Sequence, residues 1–386
     1  MLHTVLLRSD GQVTACGRSF DGQCNVPGRP DNGSYTQASA GGCHTVLLQS
    51  DGRAVAFGSN RKHGQCNIPL LGEGMSYTQV SAGGAHTALL RSDGCAVVCG
   101  NNDHGQCNVP ILEDGMSYTQ VSAGYSHTVL LCSDGNAVAC GKNEFGQCNI
   151  PALDEGLSYT QVAAGVYHSV FLRSDGSALA CGRNGTRQCN IPSLDPGTSY
   201  TQVSAGALHT VLLRSDGKAV ACGQNTNGQR NIPRLEDGLF YTQVSAGGYH
   251  TVLLRSDGQA VACGRNRHGQ CKIPSPGFNN FYCNLAGDLR VGNSFIVLQL
   301  EFQPSADDGF VLRCSNMAGE EKVCLNAGAS DLALDAQKLI ALQLKLSLQS
   351  LRLILPDGQL LTTICNENPG CTLEDLSDTR KRRRIE

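Results

Sequence analysis

The stretch HTVLLRSDG occupies residues 3–11 and recurs unchanged at residues 209–217 and 250–258. Close variants of the same stretch begin at His44, His86, His127 and His168. A catalytic motif is needed once in a chain, whereas a structural unit can be repeated. Seven copies of one stretch therefore indicate a structural repeat and not seven active sites.

The repeat has a fixed period and a β-type internal pattern. The histidines that open the seven copies are 41 residues apart, except for one interval of 42 residues. One unit, residues 241–274, reads YTQVSAGGYHTVLLRSDGQAVACGRNRHGQCKIP and has three short apolar runs without helical periodicity. The Asp-Gly pair between the second and third runs is typical of a type I′ hairpin turn. Each unit is therefore predicted to be an antiparallel sheet of three or four strands.

The two adjacent leucines of each HTVLLR run predict how the sheets pack. Successive residues of a strand point to opposite faces, so both faces of each sheet are apolar. Such a sheet fits between two similar sheets, and radial packing of seven gives a propeller. The first copy lacks an opening strand, and the segment Phe281–Gly287 (FYCNLAG), at the same period, is predicted to supply it. The predicted fold is an all-β seven-bladed propeller closed by this C-terminal strand.

The repeated pattern SAGGxHTVLLRSDGxAVACGxNxxGQCNIP resembles the regulator-of-chromosome-condensation propeller superfamily. Its unit length and its GQCNIP ending are most similar to the β-lactamase-inhibitor-protein branch. The resemblance covers residues 1–287 and implies a seven-bladed ring that serves as a protein-binding surface. Where that family usually has tryptophan before glycine, this chain has Cys16, Phe57, Cys99, Cys140, Cys181, Cys222 and Cys263.

The composition of the chain changes after residue 287, and the pattern of residues there predicts a second domain. Residues 309–315 and 321–325 are predicted to form a hairpin. Ser330 or Asp331 is predicted to cap a helix that ends near Leu346, because leucines and alanines recur there at helical spacing.

The order of these elements resembles a ubiquitin-like domain at residues 309–378. Residues 351–361 (LRLILPDGQLL) predict two short strands around a Pro-Asp-Gly turn, and Ile354 matches the isoleucine of the exposed apolar patch in that family. The family's final strand and terminal Gly-Gly are missing, although residues 295–302 are a candidate replacement for the strand. The alternative is an unrelated small α+β cap on the propeller, and residues 288–308 are a linker or an added strand in either case.

Composition excludes several classes of function. The chain has 386 residues and a formal net charge of −3, so no global field attracts nucleic acid or anionic membranes. No apolar run is long enough to span a bilayer, and no secretory signal is predicted. The 20 cysteines are too few for a disulfide scaffold, which favours reduced thiols in a cytoplasmic or nuclear protein.

No catalytic or metal-binding constellation is predicted. Cysteines recur eight residues apart, as in Cys16 and Cys24, but structural zinc uses closer pairs and closes four ligands in one site. Buried thiols are the preferred interpretation, and the repeated histidines are expected to bind backbone groups. Phosphate loops, paired carboxylates and nucleophile triads are missing from the sequence. The chain is therefore predicted not to be an enzyme and to use no cofactor or metal.

Positions that differ between near-identical units are the candidates for partner binding. One variable loop precedes each histidine, and the other is the GxNxxGQ segment; both supply aromatic and charged side chains that suit a protein interface. The predicted partner-binding residues are Phe20, Arg61, Lys62, His104, Tyr125, Phe145, Tyr167, Tyr249 and Arg267, with Ile354 in the C-terminal domain. The family resemblance implies that Tyr167 and Tyr249, which directly precede histidines, face the partner.

Three functions are compatible with these patterns. The preferred one is a non-enzymatic scaffold whose propeller binds a protein partner and whose ubiquitin-like module links it to the ubiquitin system. The alternatives are guanine-nucleotide exchange on a small GTPase, by family analogy, and substrate recognition as an adaptor of a ubiquitin ligase.

The C-terminal tail, residues 379–386, suggests a separate signal. It contains the basic run Arg380, Lys381, Arg382, Arg383 and Arg384. Such a run predicts nuclear import or nucleic-acid contacts. No membrane partner is predicted, and nucleic acid is not indicated outside this tail.

Overall fold

The computed structural model describes most of the repeat region and parts of the C-terminal region. The described residues are 2–28, 33–236, 238–275, 282–285, 296–304, 309–316, 321–328 and 351–354. The chain divides into two compact units, one comprising Met1–Arg234 and Phe240–Gly292 and the other Leu235–Leu239 and Asn293–Glu386.

Each of the seven repeats forms one antiparallel sheet from an opening, a middle and a closing strand. We call the repeats units 1 to 7, in the order of their middle strands along the chain. The middle strands are β1 (His3–Arg8), β4 (His44–Gln49), β7 (His86–Arg91), β10 (His127–Cys132), β13 (His168–Arg173), β16 (His209–Arg214) and β19 (His250–Arg255). The closing strands are β2 (Val13–Gly17), β5 (Ala54–Gly58), β8 (Ala96–Gly100), β11 (Ala137–Gly141), β14 (Ala178–Gly182), β17 (Ala219–Gly223) and β20 (Ala260–Gly264). The opening strands are β3 (Tyr35–Ala40), β6 (Tyr77–Ala82), β9 (Tyr118–Ala123), β12 (Tyr159–Ala164), β15 (Tyr200–Ala205), β18 (Tyr241–Ala246) and β21 (Tyr282–Leu285).

The turn between the middle and closing strands differs from the predicted type I′ hairpin. In unit 1, Gly11 N–H donates to Arg8 C=O at 3.0 Å, and Arg8 N–H donates to Gln12 C=O at 2.8 Å. Gly11 has a φ of 74°, whereas Arg187 is the only described non-glycine residue with a positive φ. The type I′ prediction was therefore wrong, because a three-residue loop needs only one left-handed residue. Asp10 stabilises this loop by accepting a hydrogen bond from Gln12 N–H at 3.0 Å.

The adjacent leucines of each middle strand face opposite neighbours, as predicted. In unit 1, Leu7 belongs to one core with Tyr35 and Leu47 of unit 2. Leu6, on the other face, belongs to a second core with Val252 of unit 7. Full burial of a leucine side chain stabilises a fold by about 1.5–3 kcal/mol. Packing of sheet against sheet is therefore the main source of stability in the repeat region.

Strand β21 is the opening strand of unit 1. It pairs antiparallel with β1, which is the pairing predicted for the segment Phe281–Gly287. Tyr282 Oη donates to Pro274 C=O at 2.7 Å, as other opening tyrosines do to their own prolines. Thr4 Oγ1 of unit 1 also lies 2.8 Å from His250 Nε2 of unit 7. Units 1 and 7 are therefore in direct contact.

The second compact unit contains a four-stranded sheet. Its strands are β22 (Ile296–Pro304), β23 (Gly309–Asn316), β24 (Glu321–Gly328) and β25 (Leu351–Ile354). Strands β23 and β24 form the predicted hairpin, and β22 runs antiparallel to β23 and parallel to β25. The predicted helix, the strand after the Pro-Asp-Gly turn and the basic tail lie outside the described residues. The ubiquitin-like assignment therefore stays a prediction.

Candidate functional site

Both variable loops of each unit lie at the same end of its sheet. The histidine that begins the middle strand is paired with the glycine that ends the closing strand, as His127 is with Gly141. The turn before the histidine and the loop after the glycine are therefore neighbours. We call the surface made by these loops the histidine face, and the opposite surface, with the Ser-Asp-Gly turns, the hairpin face.

A repeated set of buried hydrogen bonds between neighbouring units lies beneath the histidine face. His86 Nε2 lies 3.0 Å from Thr128 Oγ1 of the next unit, and Thr128 Oγ1 donates to Gln106 C=O at 2.8 Å. The same two bonds recur in every unit, with one serine in place of threonine and with His250 bonded to Thr4. The prediction that these histidines bind backbone was wrong, because the hydroxyl stands between the ring and the loop carbonyl.

These bonds fix the protonation of the histidines. A hydroxyl has one hydrogen, and Thr128 donates it to Gln106 C=O, so His86 Nε2 must carry the hydrogen that Thr128 accepts. Burial disfavours the imidazolium and lowers the pKa of His86 from 6.5 to about 3. Burial likewise lowers the pKa of the other six histidines that begin the middle strands, to about 3 or about 4. The seven histidines are therefore neutral structural residues.

Glutamine and serine side chains of the opening strands bind the backbone of the next unit. Gln120 Oε1 accepts from Val162 N–H at 2.9 Å, and Ser122 Oγ accepts from Ala164 N–H at 2.9 Å. Equivalent bonds link other neighbouring units. The opening strand pairs with only one strand, so these side chains satisfy donors on its free edge. This role was not predicted from the sequence, although polar residues that recur inside an apolar strand were a signal for it.

One side-chain cluster joins the variable loops of units 4 and 5. Phe145 of unit 4 and Tyr167 of unit 5 make an edge-to-face contact with ring centroids 5.5 Å apart. The Arg183 guanidinium lies 5.4 Å from both ring centroids. Phe145 is 42% exposed. Tyrosine and arginine are enriched among the residues that contribute most of the binding energy at protein interfaces.

Two further arginine–aromatic pairs lie on the same face. The Arg18 guanidinium is 5.5 Å from the ring centroid of Phe20, which is 82% exposed. Phe20 also contacts His268 of unit 7 edge-to-face, with centroids 6.2 Å apart. The Arg265 guanidinium is 5.7 Å from the ring centroid of Tyr249. Four of the predicted aromatic residues therefore lie beside an arginine.

The other predicted residues are not joined in one cluster. Tyr125 is 50% exposed, and its ring packs so closely on Gly84 that a Cβ there would lie 2.9 Å from it. The remaining predicted residues of the histidine face are exposed, and they are Arg61, Lys62, His104 and Arg267. Ile354 ends strand β25 in the second compact unit, opposite Gln299. The basic run 380–384 lies outside the described residues.

The arginines that complete these clusters were not predicted from the sequence. Arg18, Arg183 and Arg265 occupy one position, directly after the glycine that ends the closing strand. The other units have Ser59, Asn101, Lys142 and Gln224 there. This variation at a single repeat position was the available signal.

The repeated cysteines are partly or fully buried thiols. Cys140 Sγ donates to Gln106 C=O at 3.6 Å, and Cys148 Sγ donates to Lys142 C=O at 3.4 Å. Burial raises the pKa of Cys140 to about 12 and that of Cys148 to about 11. Protonated thiols are weak nucleophiles and weak metal ligands. Within the described residues, no group of three or more histidine, cysteine or acidic side chains is placed to hold a metal ion.

Among the described residues there is no helix that is long and apolar enough to cross a membrane.

Known proteins share both the repeat sequence and the fold. The family model described as Regulator of chromosome condensation (RCC1) repeat matches residues 77–106, 118–147, 159–188, 200–229 and 241–270. No curated protein matches the chain. Human WBSCR16 is similar in structure, with 17% identity, a TM-score of 0.55, and coverage of 71% of this chain and 92% of that one.

Two further solved structures are similar at low sequence identity. Prp20p of Saccharomyces cerevisiae has 17% identity and a TM-score of 0.55, over 81% of this chain and 86% of that one. The CRINKLY WD40 ectodomain of the Arabidopsis thaliana receptor kinase ACR4 has 20% identity and a TM-score of 0.51, over 71% and 99%. Similarity at these identities shows a shared fold. Within residues 77–270, this chain therefore carries five repeats of the regulator of chromosome condensation (RCC1) family.

Proposed function

We propose that the chain is a non-enzymatic protein-interaction scaffold whose seven sheets close into a seven-bladed propeller. The proposed binding surface is the histidine face. The buried histidines and hydroxyls beneath it are neutral and recur in every unit, with one serine in place of threonine, whereas its exposed loops differ from unit to unit. A rigid layer under variable loops is the arrangement that positions binding residues on many scaffolds.

The observation that carries this proposal is the cluster of Phe145, Tyr167 and Arg183. Its residues come from two neighbouring units, so the cluster exists only when the units are packed together. Phe145 remains exposed although it is a large apolar side chain. Exposed aromatic side chains held by an arginine are suited to bury against a protein partner.

Site-specific photo-crosslinking tests the proposal. A photoreactive amino acid replaces Phe145 on the histidine face in one full-length variant and Asp134 on the hairpin face in the matched control. We expect a protein adduct from residue 145 and none from residue 134. Equal crosslinking from both positions, or none from residue 145 in cells that express the chain, would contradict the proposal.

Guanine-nucleotide exchange is the second candidate function. It is favoured by the structural similarity to Prp20p, whose structure was described together with its binding properties to Gsp1p and histones. Mixing the full chain with purified small GTPases and following nucleotide release tests it. Accelerated release that Phe145→Ser abolishes would rank exchange above a purely scaffolding role.

The C-terminal region carries two further proposals. A ubiquitin-like module there would link the propeller to the ubiquitin system, or make the chain an adaptor of a ubiquitin ligase. Residues 380–384 would direct the chain from the cytoplasm to the nucleus. Binding of purified ubiquitin receptors to the chain with and without Ile354→Ala tests the first, and the distribution of a tail-deleted chain tests the second.

A further inference from the structure

We propose that the histidine face binds an acidic protein segment through four arginines of units 5 and 7, an inference that rests on the proposed function. The arginines are Arg183 and Arg187 of unit 5 and Arg265 and Arg267 of unit 7, and we call them the basic arc. All four lie in the loops that follow the closing strands. These loops are on the same face as the arginine–aromatic clusters.

The loops of the two faces carry opposite charge. The seven loops that follow the closing strands hold Arg18, Arg61, Lys62, Lys142, Arg183, Arg187, Arg230, Arg265, Arg267 and Lys272, against Asp21, Asp103 and Glu144. On the hairpin face, four of the loops before the opening strands, 70–76, 111–117, 152–158 and 193–199, hold six carboxylates and no cation, whereas the corresponding segment of unit 7 holds Arg234. The aspartates of the turns on this face are paired with arginines in six of the seven units. The whole chain has a formal net charge of −3. The positive histidine face is therefore a product of the fold and not of composition.

The basic arc is not neutralised within the described residues. Arg18 has Asp21 at 3.6 Å and Lys142 has Glu144 at 3.1 Å, but no described carboxylate forms an ion pair with an arginine of the arc. A guanidinium offers several donors in a fork that matches a carboxylate. The arc therefore presents donors for carboxylates supplied from outside.

Arg187 adds an observation that is independent of charge. It has a φ of 65°, in the left-handed region where an L-residue costs roughly 1–2 kcal/mol. The equivalent loop position is a glycine in the other six units, as at Gly146 with a φ of 78°. Unit 5 thus places an arginine where the backbone requires glycine. Such strain at an exposed position points to a function for the side chain.

The surroundings of the arc favour a protein over a nucleic acid. Guanidinium groups already cover the rings of Phe145, Tyr167 and Tyr249, so these rings are not free platforms for stacked bases. Half-buried Val166 and Leu208 occupy the turns before the histidines of units 5 and 6. Carboxylates that pair with arginine and apolar side chains that pack on these turns describe an acidic segment interspersed with leucine-like residues.

Fluorescence anisotropy with the full chain tests this inference. The probe is a labelled peptide of glutamate with interspersed leucine; the comparison probes are the same peptide with glutamine for glutamate and a single-stranded DNA of equal charge. We expect the glutamate peptide to bind at least tenfold more tightly than either, and binding to weaken as salt is raised. Equal binding of the glutamine peptide, or tighter binding of the DNA, would overturn the inference.

Variants locate the binding on the arc. Arg183→Gln combined with Arg265→Gln is expected to weaken peptide binding about tenfold or more, because charge-assisted hydrogen bonds are lost. Arg53→Gln, on the hairpin face, is the matched control and should leave binding unchanged. Unchanged binding in the double variant, with an unchanged melting temperature, would refute the role of the arc.

Arg187→Gly gives a readout that a purely structural role would not produce. Relief of the left-handed arginine should raise the melting temperature while peptide binding becomes several-fold weaker. A higher melting temperature with unchanged binding would remove Arg187 from the site.

Failure of this inference is distinguishable from failure of the proposed function. A protein adduct at residue 145 without binding of the glutamate peptide leaves the scaffold and removes the acidic partner. Sedimentation of the chain alone tests whether a second copy of the chain binds this face instead. Salt-dependent self-association that the arginine variants abolish would overturn the inference in favour of a second copy of the chain.

Discussion

The histidine end and the hairpin end of the seven sheets hold their residues by different means. At the histidine end, buried neutral groups bond from one unit to the next, as His86 does to Thr128 at 3.0 Å. At the hairpin end, six of the seven Ser-Asp-Gly turns carry an ion pair within one unit, such as Arg53 and Asp51 at 2.6 Å. The packing of one unit on the next therefore depends on polar groups that stay neutral, whereas the stability of the turns depends on backbone geometry.

Lowering the pH should destabilise the contacts at the histidine end first, and this loss of stability is the largest effect that we expect. The pKa of His127 is about 4 in the folded chain, against 6.5 without burial. Only the unfolded chain takes up the protons, so stability is complete above pH 6.5 and falls as the pH decreases toward 4. In this window, each of the seven buried histidines lowers the free energy of unfolding by up to about 1.4 kcal/mol for each unit that the pH decreases. Melting temperatures measured from pH 7.5 to pH 4.5 should therefore fall steeply.

A matched pair of variants sharpens that measurement. His127→Gln should make the dependence of the free energy of unfolding on pH shallower, because one proton fewer is taken up on unfolding. Thr226→Ser, at an exposed position of the same face with no titratable group, should leave the slope as it is. Equal slopes for wild type and His127→Gln would show that the buried ring does not control acid stability.

A single methyl group should break the geometry of the hairpin end. Gly135 has a φ of 83°, and a Cβ there would lie 2.4 Å from Ser158 Cβ. Gly135→Ala is therefore expected to reduce the free energy of unfolding by about 1–2 kcal/mol or more. Asp134→Asn, in the same turn, keeps an oxygen acceptor for Asn136 N–H and is the control. Urea unfolding that gives both variants the same midpoint would contradict this view of the turn.

Unit 5 offers a natural gap in the network between units. It has Ala163 where the neighbouring unit has Ser122, whose Oγ accepts from Ala164 N–H at 2.9 Å. Ala163→Ser would give Ala205 N–H the same acceptor and should stabilise the chain by about 1 kcal/mol. Ser122→Ala should destabilise it by a similar amount. Melting temperatures that move in the same direction for both variants would show that these bonds add nothing.

Loss of an ion pair on the hairpin face should have the smallest effect. Arg53 bonds to Asp51 and lowers the pKa of that carboxyl, but both side chains are largely in water. Arg53→Gln is expected to leave the melting temperature within experimental error. Unchanged behaviour here, beside a steep acid transition, would separate the two ends as the comparison requires. A large loss of stability would place the turn ion pairs among the main stabilising contacts.

Several features of the fold and site were predictable from local patterns. The three runs in each unit became three strands, and the Leu-Leu pair placed one side chain in each neighbouring core. The variation of the Phe145 and Tyr167 loops between near-identical units made them candidates for binding, and the structure brings these two side chains into contact. The turn type was not predictable from Asp-Gly alone, because Asp-Gly also suits a three-residue loop in which only the glycine is left-handed.

The period, the strands and the two apolar faces of each sheet could be read from the sequence, because they follow from the order of residues along one strand. The bonds from the histidines to hydroxyls of the next unit, and the contacts of Phe145 with Tyr167 and Arg183, became visible only in the folded chain. They join residues of different units, which are distant in the sequence and which packing brings together. No local pattern specifies them, since the distance between two side chains of neighbouring sheets depends on how the sheets pack.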